Sequence, residues 1–280
     1  MNLQTEINEL FVQQQGAWEQ LKEAIAQRDK IREKVFSWGD KFTVSVQYNP
    51  ARIISTAAKI EKREIEQRPC FLCEMNRPLV QRGVPYLGKY MILCNPFPIL
   101  QNHVTIPIHS HVPQRIRNKT GDILTLAEAL PDYIVFYNGP KCGASAPDHF
   151  HLQAGLRTSL LMQGDNALRS CLTIESENRK EVEALFEDVY QYLKQRQPEE
   201  EEPMMNVIAF TEEHKYKLHL FPRKAHRPRH YYEEGGRQLL VSPGALDMAG
   251  LLITVREEDF NKIEQQDIED IYSQVSMPVI

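Results

Sequence analysis

The sequence lacks the features that mark several large classes of protein. Its 280 residues carry 33 Lys and Arg against 38 Asp and Glu, a formal net charge of −5, so no overall positive field attracts nucleic acid. It has no apolar run of the length that a membrane span needs. Its first seventeen residues are polar and mixed, without the apolar core of a signal peptide. We therefore expect no nucleic-acid partner, no membrane partner and a cytoplasmic location.

Cysteine is also scarce. The five cysteines are Cys70, Cys73, Cys94, Cys142 and Cys171. An odd number in a long chain without a signal peptide does not indicate a disulfide framework. The thiol pair formed by Cys70 and Cys73 has a spacing that suits two ligands of one metal ion. The alternatives are a redox pair, which would need a strand-to-helix context, and two free buried thiols.

The composition is that of a globular protein, with 42% hydrophobic and 25% charged residues, so the chain can bury a sizeable core. Apolar residues recur at roughly helical spacing over residues 3–36, which predicts an N-terminal helical segment within residues 1–40, with a break near Gly16. Further along the chain, short strands and helices follow one another without regular alternation. This pattern predicts an α+β fold on a mainly antiparallel sheet with flanking helices.

Three further segments follow the N-terminal one. Residues 41–197 are predicted to form the catalytic region, and residues 198–203, Pro-Glu-Glu-Glu-Glu-Pro, an acidic linker. Residues 204–280 are predicted to add strands that complete the sheet or form a second half. The predicted strands are residues 42–48, 90–94, 103–108, 133–137, 149–155, 206–210, 216–221 and 251–255, and the later predicted helices are residues 123–130 and 177–196.

Residues 149–153 read His-Phe-His-Leu-Gln and are the most informative part of the sequence. Because side chains alternate across a strand, His149, His151 and Gln153 are predicted to share one face, while Phe150 and Leu152 point into a core. A solvent-exposed face would ordinarily show Lys, Glu or Thr. Two histidines and a glutamine instead favour a reactive face, and a half-buried strand with incidental histidines is the alternative.

These residue types suit the transfer of a phosphorus-containing group. An unprotonated imidazole, with a reference pKa of about 6.5, can attack phosphorus near neutral pH. The resulting phosphoramidate can be broken by a second acceptor, which divides one difficult displacement into two easier ones. The preceding Gly143, Ala144 and Ser145 offer backbone N–H groups and a hydroxyl for phosphate oxygens. Gln153 can donate hydrogen bonds without titrating.

The segment from His149 to Gln153 resembles the His-x-His-x-Gln signature of the transferase branch of the histidine-triad superfamily. That branch includes galactose-1-phosphate uridylyltransferase, diadenosine tetraphosphate phosphorylase and the GDP-hexose phosphorylases, and the pattern is most similar to a bacterial group related to those phosphorylases. The hydrolase branch has a third histidine at the position of Gln153. The resemblance implies that His151 becomes nucleotidylated, that Gln153 supports the phosphate, and that residues 143–145, with the Ser145 hydroxyl, are the phosphate loop.

The resemblance also implies a reaction. The chain is expected to be a phosphorylase-type nucleotidyltransferase whose substrates are phosphate and either a nucleoside diphosphate sugar or a dinucleoside polyphosphate. A homodimer is one possible assembly. A hydrolase of the same superfamily and a nucleotide-binding module without catalysis are the alternatives.

The thiol pair, in Cys-Phe-Leu-Cys, resembles the zinc pair of the uridylyltransferase. The resemblance implies that His109 and His149 supply the other ligands, which gives one closed, tetrahedral, structural zinc site per chain. His103 and His111 are the alternatives to His109. Residues 103–109 are a second match, because they resemble the strand of the superfamily that carries a histidine, apolar residues, a proline and another histidine.

Residues 221–230 are strongly basic in an acidic chain. A phosphate-transferring site needs compensating positive charge, so Arg223 and Lys224 are predicted to contact phosphate. A solvated loop is the alternative.

Residues 47–52 resemble a Gln-x-Asn-x-x-Arg stretch of the GDP-hexose phosphorylases. Asn49 and Arg52 are therefore predicted to bind the nucleotide, and the alternative is turn chemistry at Asn-Pro beside an exposed arginine. The turn-rich residues 242–250 have no assigned chemistry.

Overall fold

The structure is a computed structural model that describes residues 2–28, 30–39, 42–57, 62–164 and 168–279. Its helices are α1 Leu3–Ala17, α2 Glu19–Arg28, α3 Ile53–Thr56, α4 Lys62–Gln67, α5 Thr120–Ala129, α6 Arg179–Arg196, α7 Ala245–Met248, α8 Glu257–Lys262 and α9 Gln265–Val275. Its strands are β1 Arg32–Trp38, β2 Phe42–Tyr48, β3 Gly83–Tyr86, β4 Tyr90–Cys94, β5 Val104–Pro107, β6 Tyr133–Asn138, β7 His151–Leu156, β8 Leu172–Ser176, β9 Met205–Glu212, β10 Lys215–Pro222 and β11 Leu251–Thr254.

Within these residues the strands form two sheets. The larger has eight antiparallel strands in the order β3-β4-β5-β7-β6-β9-β10-β8. The smaller has the order β1-β2-β11, in which β11 runs parallel to β2. The prediction of an α+β fold on a mainly antiparallel sheet is therefore confirmed. Because β9 pairs with β6, residues after 203 complete the same sheet that carries β7.

Each face of the large sheet covers a separate core. Helices α1, α5 and α6 pack on one face, together with Leu152 and Ala154 of β7. The small sheet and helices α7, α8 and α9 pack on the other, together with Phe136 of β6. Residue 153 pairs with Phe136, so Gln153 lies on this second face, as alternation along the strand requires. The face of β7 that was predicted to be reactive is thus the face covered by the small sheet and by α7, α8 and α9.

The N-terminal helix predicted over residues 3–36 is wrong beyond Arg28. The chain forms α1 and α2 and then β1, which pairs with β2 along its whole length. In β1 the half-buried Lys34, Phe36 and Trp38 alternate with exposed side chains, so the local period is two rather than that of a helix. The other predicted elements differ from the observed ones by three residues or fewer at either end.

The predicted acidic linker, residues 198–203, connects α6 to β9. Glu202 is only 5% exposed; it accepts hydrogen bonds from the Tyr137 hydroxyl and from the Ile116 N–H.

The predicted boundary between residues 40 and 41 lies outside the described residues. In the described part of the chain, no helix combines the length and the apolar character that crossing a bilayer requires.

Candidate active site

Two thiols and two imidazoles converge beside the start of β7. The candidate ligand atoms of Cys70, Cys73, His111 and His149 all lie within 4.8 Å of one another. The His149 Nδ1 atom is 3.3 Å from Cys70 Sγ and 3.6 Å from Cys73 Sγ, and His111 Nδ1 is 3.2 Å from Cys73 Sγ. With bond lengths of about 2.0–2.3 Å, donors around a tetrahedral zinc ion are separated by about 3.5 Å. The four residues are therefore arranged to hold a metal ion.

The far nitrogens of both imidazoles support this arrangement. The Nε2 atom of His149 is 2.7 Å from the Ile108 carbonyl oxygen, which can only accept, so Nε2 carries the proton and Nδ1 presents its lone pair to the thiols. The Nε2 atom of His111 lies 3.8 Å from a carboxylate oxygen of Asp148. Arg68 donates to the other oxygen of that carboxylate at 2.7 Å. A carbonyl and a carboxylate behind the rings are the usual partners of metal-binding histidines.

The structure does not place His109 in this cluster, which corrects the predicted ligand set. The strand pairing continues past the end of β5, where the His109 N–H donates to the Lys89 carbonyl at 2.8 Å, and the His109 side chain is exposed. The chain then turns, and the His111 ring comes to 5.2 Å from the His149 ring. His103, the other alternative, lies near Gln153 instead. His111 therefore occupies the position predicted for His109.

His151 is the first residue of β7, which begins two residues later than predicted, and it is only 5% exposed. Its Nδ1 atom lies 2.9 Å from the His149 carbonyl oxygen. Since a carbonyl oxygen only accepts, Nδ1 carries the proton and Nε2 keeps a free lone pair. Burial lowers the pKa of His151 to about 4, so the imidazole is neutral near neutral pH. An unprotonated Nε2 on a neutral ring is a competent nucleophile.

Gln153 is oriented by His103. The Ile99 N–H donates to His103 Nδ1 at 3.1 Å, so the proton of this imidazole is on Nε2. That Nε2 lies 3.0 Å from Gln153 Oε1 and donates to it. The hydrogen bond assigns the oxygen of the Gln153 amide to the side near His103 and turns the two amide N–H donors away from it. Gln153 can thus donate to an anionic group beside the strand.

Gln114 is a residue of this site that the sequence does not signal. The pairing of β6 with β7 ends at residues 136 and 153, and the Gln114 side chain continues it. Its Oε1 accepts from the His151 N–H at 2.8 Å, and its Nε2 donates to the carbonyls of His151 at 3.0 Å and Asn138 at 2.9 Å. The amide thereby forms hydrogen bonds with backbone groups that are left unpaired where β6 and β7 separate, and it fixes the backbone of His151.

We expect Gln114→Leu to lower the free energy of unfolding by about 2–4 kcal/mol, because it leaves a buried N–H and two buried carbonyls without partners. Gln81→Leu is the matched control, since Gln81 makes one hydrogen bond to a carbonyl, at 3.3 Å, and its loss should cost about 1 kcal/mol. Urea unfolding of the two variants measures the difference. Equal midpoints for both would show that Gln114 has no special role.

The predicted phosphate loop lies against the C-terminal part of the chain. Gly143 has φ of +94°, and a Cβ atom there would lie 2.7 Å from the Gly244 Cα, so both the conformation and the space require glycine. Ala144 is buried and Ser145 is half-buried. Residues 242–250, which had no assigned chemistry, therefore form the wall that faces this loop.

Of the two residues predicted to bind the nucleotide, Arg52 lies near the loop. Arg52 lines a cleft together with Gly143 and Ala144, and its Nη1 donates to the Phe97 carbonyl at 2.9 Å. Asn49 is 4% exposed, and among the described residues its side-chain nitrogen has no hydrogen-bond partner. The structure thus places Arg52 beside the loop.

Arg223 does not contact the cleft, and its predicted role as a phosphate ligand is wrong. It is 0% exposed. Its guanidinium donates to Asn206 Oδ1 and to the carbonyls of Pro243, Ala225, His226 and Val275. These acceptors engage all five of its N–H groups, so none is left for a substrate. Lys224 is exposed and lies outside the lining of the cleft.

Crystal structures of the yeast Ap4A phosphorylase Apa2 resemble this chain over nearly its whole length. The complex with AMP has a TM-score of 0.66 and 18% sequence identity, and the alignment covers 99% of this chain and 98% of that chain. The complex with Ap4A has a TM-score of 0.60 and 16% identity, covering 94% of this chain and 97% of that chain. The likeness shows that the chain has the fold of the histidine-triad transferases, as predicted.

Residues 10–156 match the model of the family described as a domain of unknown function (DUF4922), and the chain belongs to this family. The match contains the thiol pair, His151 and Gln153 but not the C-terminal wall of the cleft. No curated protein matches the chain in sequence.

Proposed function

We propose that the chain is a phosphorylase-type nucleotidyltransferase in which His151 Nε2 carries a nucleoside monophosphate between two substrates. The observation that carries this proposal is the 2.9 Å hydrogen bond between His151 Nδ1 and the His149 carbonyl, because it leaves Nε2 unprotonated. The donor is a nucleoside diphosphate sugar or a dinucleoside polyphosphate. A nucleotide donor is also supported by the yeast phosphorylase of the same fold, which was crystallised with AMP and with Ap4A.

In the first step the Nε2 lone pair attacks the α-phosphorus of the donor. The Nε2–P bond forms, the P–O bond to the leaving group breaks, and that oxygen takes the electron pair as a sugar phosphate or a nucleotide departs. The imidazole becomes positively charged, and the Nδ1–H bond to the His149 carbonyl stabilises this charge. The Gln153 amide, the backbone N–H groups of residues 143–145 and the Ser145 hydroxyl donate to the phosphoryl oxygens.

In the second step an oxygen of inorganic phosphate attacks the same phosphorus. The new P–O bond forms, the Nε2–P bond breaks, and its electron pair returns to the imidazole, which is again neutral with its proton on Nδ1. A nucleoside diphosphate leaves. Asn49 and Arg52 hold the nucleotide during both steps, Arg52 through N–H groups other than the one bonded to Phe97.

The metal in this proposal is one structural zinc. The donor set of two thiols and two imidazoles suits zinc, and Cys70, Cys73, His111 and His149 would hold it. With four protein ligands, zinc would fix the fold locally and leave no position open for a substrate. Because His149 also provides the carbonyl that His151 Nδ1 contacts, this site would position the nucleophile.

The test is to detect the covalent adduct. Incubation with a competent donor, without phosphate, should add one nucleoside monophosphate to the chain, in a bond that is labile in acid and more durable in base. Peptide mapping by mass spectrometry should locate it at His151. His214→Gly, which removes an exposed histidine from the turn between β9 and β10, should be labelled like the wild type.

Three outcomes would contradict the proposal. An adduct at another residue would assign a different nucleophile. Donor turnover to products of water attack, without phosphorolysis, would indicate the hydrolase. Donor binding with neither turnover nor adduct would indicate a nucleotide-binding module.

A further inference from the structure

A buried carboxylate is connected by hydrogen bonds to the backbone of His151. Glu202 lies in the segment that joins α6 to β9 and is only 5% exposed, unlike the exposed Glu201 beside it. Its Oε2 atom accepts from the Ile116 N–H at 2.6 Å, and its Oε1 atom is hydrogen-bonded to the Tyr137 hydroxyl. Tyr137 is itself 0% exposed. The carboxyl group is therefore enclosed in the protein together with its partners.

The connection to the nucleophile runs through Gln114. The Tyr137 hydroxyl lies 3.2 Å from the main-chain carbonyl oxygen of Gln114. The main-chain N–H of Gln114 donates to the Pro147 carbonyl at 3.0 Å. Its side-chain amide accepts from the His151 N–H at 2.8 Å and donates to the His151 carbonyl at 3.0 Å. Any change in the hydrogen bond from Tyr137 thus acts on the residue that fixes the backbone of His151.

The Tyr137 hydroxyl has one proton and two neighbouring acceptors. If Glu202 is ionised, the proton of Tyr137 goes to the carboxylate, and the Gln114 carbonyl loses this hydrogen bond. If Glu202 is neutral, its own proton is donated to the Tyr137 oxygen, and the Tyr137 proton is donated to the Gln114 carbonyl. All three groups are then hydrogen-bonded. The arrangement is therefore complete only when Glu202 carries a proton.

Glu202 changes its charge near neutral pH. Burial raises its pKa to about 7, although the hydrogen bonds that it accepts and the charge of Arg115 act in the opposite direction. The charged and titratable groups that face it or its partners are Arg115, Arg117, Tyr137, Cys142, Tyr190, Glu200 and Glu201. Burial raises the pKa values of the two tyrosines and of the cysteine. Glu202 is thus the buried member of this set that titrates between pH 6 and 8.

We propose that Glu202 and Tyr137 are positioning residues, which hold Gln114, and through it the backbone of His151, in the arrangement for attack while Glu202 carries a proton. This role rests on the proposed function. When Glu202 is ionised, Tyr137 no longer donates to Gln114, and the backbone of His151 is less well fixed. The adduct therefore forms faster below pH 7 than above it.

Two variants fix the two alternative arrangements. In Glu202→Gln the amide oxygen accepts from the Ile116 N–H, so the amide N–H group donates to Tyr137 at every pH, as the neutral acid does. In Tyr137→Phe the Gln114 carbonyl has no hydroxyl donor at any pH, as when Glu202 is ionised. The first variant should be fast, and the second slow, across the whole pH range.

The first measurement is the single-turnover rate of adduct formation at saturating donor, between pH 6 and 8. Inorganic phosphate is left out, because it changes its own charge in this range. The wild-type rate should fall by about fivefold as the pH rises, which is the effect of one hydrogen bond. Glu202→Gln should keep the low-pH rate throughout, and Tyr137→Phe the high-pH rate. The half-saturating donor concentration should not change, since the proposed donor contacts do not include these residues.

Each variant has a matched control. Glu201→Gln removes a charge from the adjacent exposed residue. Tyr133→Phe removes a buried hydroxyl from the same face of β6, where it accepts from Asn102 at 3.3 Å. Both controls should show the wild-type pH profile, and thermal unfolding shows that each variant is folded. A merely structural Glu202 would change stability but not the shape of the profile, so equal profiles for the wild type and folded Glu202→Gln would overturn the proposal.

A second measurement needs no donor. Selective labelling with ¹⁵N-histidine gives a small set of amide signals, and the signal that is missing from His151→Gly belongs to His151. Because this N–H donates to Gln114, its chemical shift should follow the titration of Glu202 in the wild type and stay constant in Glu202→Gln. A constant shift in the wild type would overturn the inference, whether or not an adduct forms. A shift that follows pH, in a protein that no donor labels, would contradict the proposed function alone.

Discussion

Replacement of His151 by glycine is expected to lower the rate of nucleotidyl transfer by about four orders of magnitude or more, because no group remains to form the covalent intermediate. His151 is 5% exposed, so glycine leaves a space of the size and shape of an imidazole ring at the start of β7. Free imidazole should enter this space, accept the nucleotidyl group and restore part of the donor turnover. Initial rates of phosphorolysis, measured with and without added imidazole, test both parts of the prediction.

His214→Gly is the control for the loss of a histidine, and it should keep the wild-type rate without imidazole. The metal content of His151→Gly should also be unchanged, since His149 and not His151 belongs to the thiol–imidazole cluster. A wild-type rate in His151→Gly would disprove the mechanism even though the fold is established. Rescue by imidazole of an inactive variant, by contrast, is not expected from a merely structural histidine.

Local patterns predicted the central part of the site. The alternation in residues 149–153 predicted a strand with Gln153 on the reactive face and Leu152 in a core, and the register of β7 with β6 agrees. The spacing of Cys70 and Cys73 predicted that both belong to one cluster, and their sulfur atoms lie in it together. In each case the relevant residues are near one another in the sequence, so a single element determines their relative positions.

Features of the site that depend on contacts between residues far apart in the sequence could not be predicted in this way. The selection of His111 over His109 depends on how far the pairing beyond β5 continues, which is determined by the Lys89 carbonyl in the turn between β3 and β4. Arg223 looks like an accessible cation in the sequence, but acceptors from Asn206 to Val275 surround it in the fold. Gln114 lies outside the strands, but its side chain forms hydrogen bonds that continue the pairing of β6 with β7.

The metal site allows a prediction about the stability of the protein as well as about its zinc content. Purified wild-type protein should contain close to one zinc per chain, and the Cys70→Ser, Cys73→Ser double variant should contain almost none. The double variant should also lose about 3 kcal/mol or more of unfolding free energy, because zinc binding stabilises only the folded arrangement of these ligands. Cys171→Ser removes a buried thiol outside the cluster and should keep its zinc. Metal analysis and urea unfolding measure the two effects.

The histidine ligands offer the sharper comparison, because the sequence and the structure favour different residues. His111→Ala removes a nitrogen that lies 3.2 Å from Cys73 Sγ, and it should lower zinc affinity by about two orders of magnitude or more. His109→Ala removes an exposed side chain two residues away and should leave the affinity unchanged. Competition with a chelator of known affinity measures both. The reverse order of affinities would restore His109 as the ligand, and full zinc content in the double cysteine variant would exclude a zinc site at this cluster. Because the His149 carbonyl orients His151, His111→Ala should also slow adduct formation, whereas His109→Ala should not.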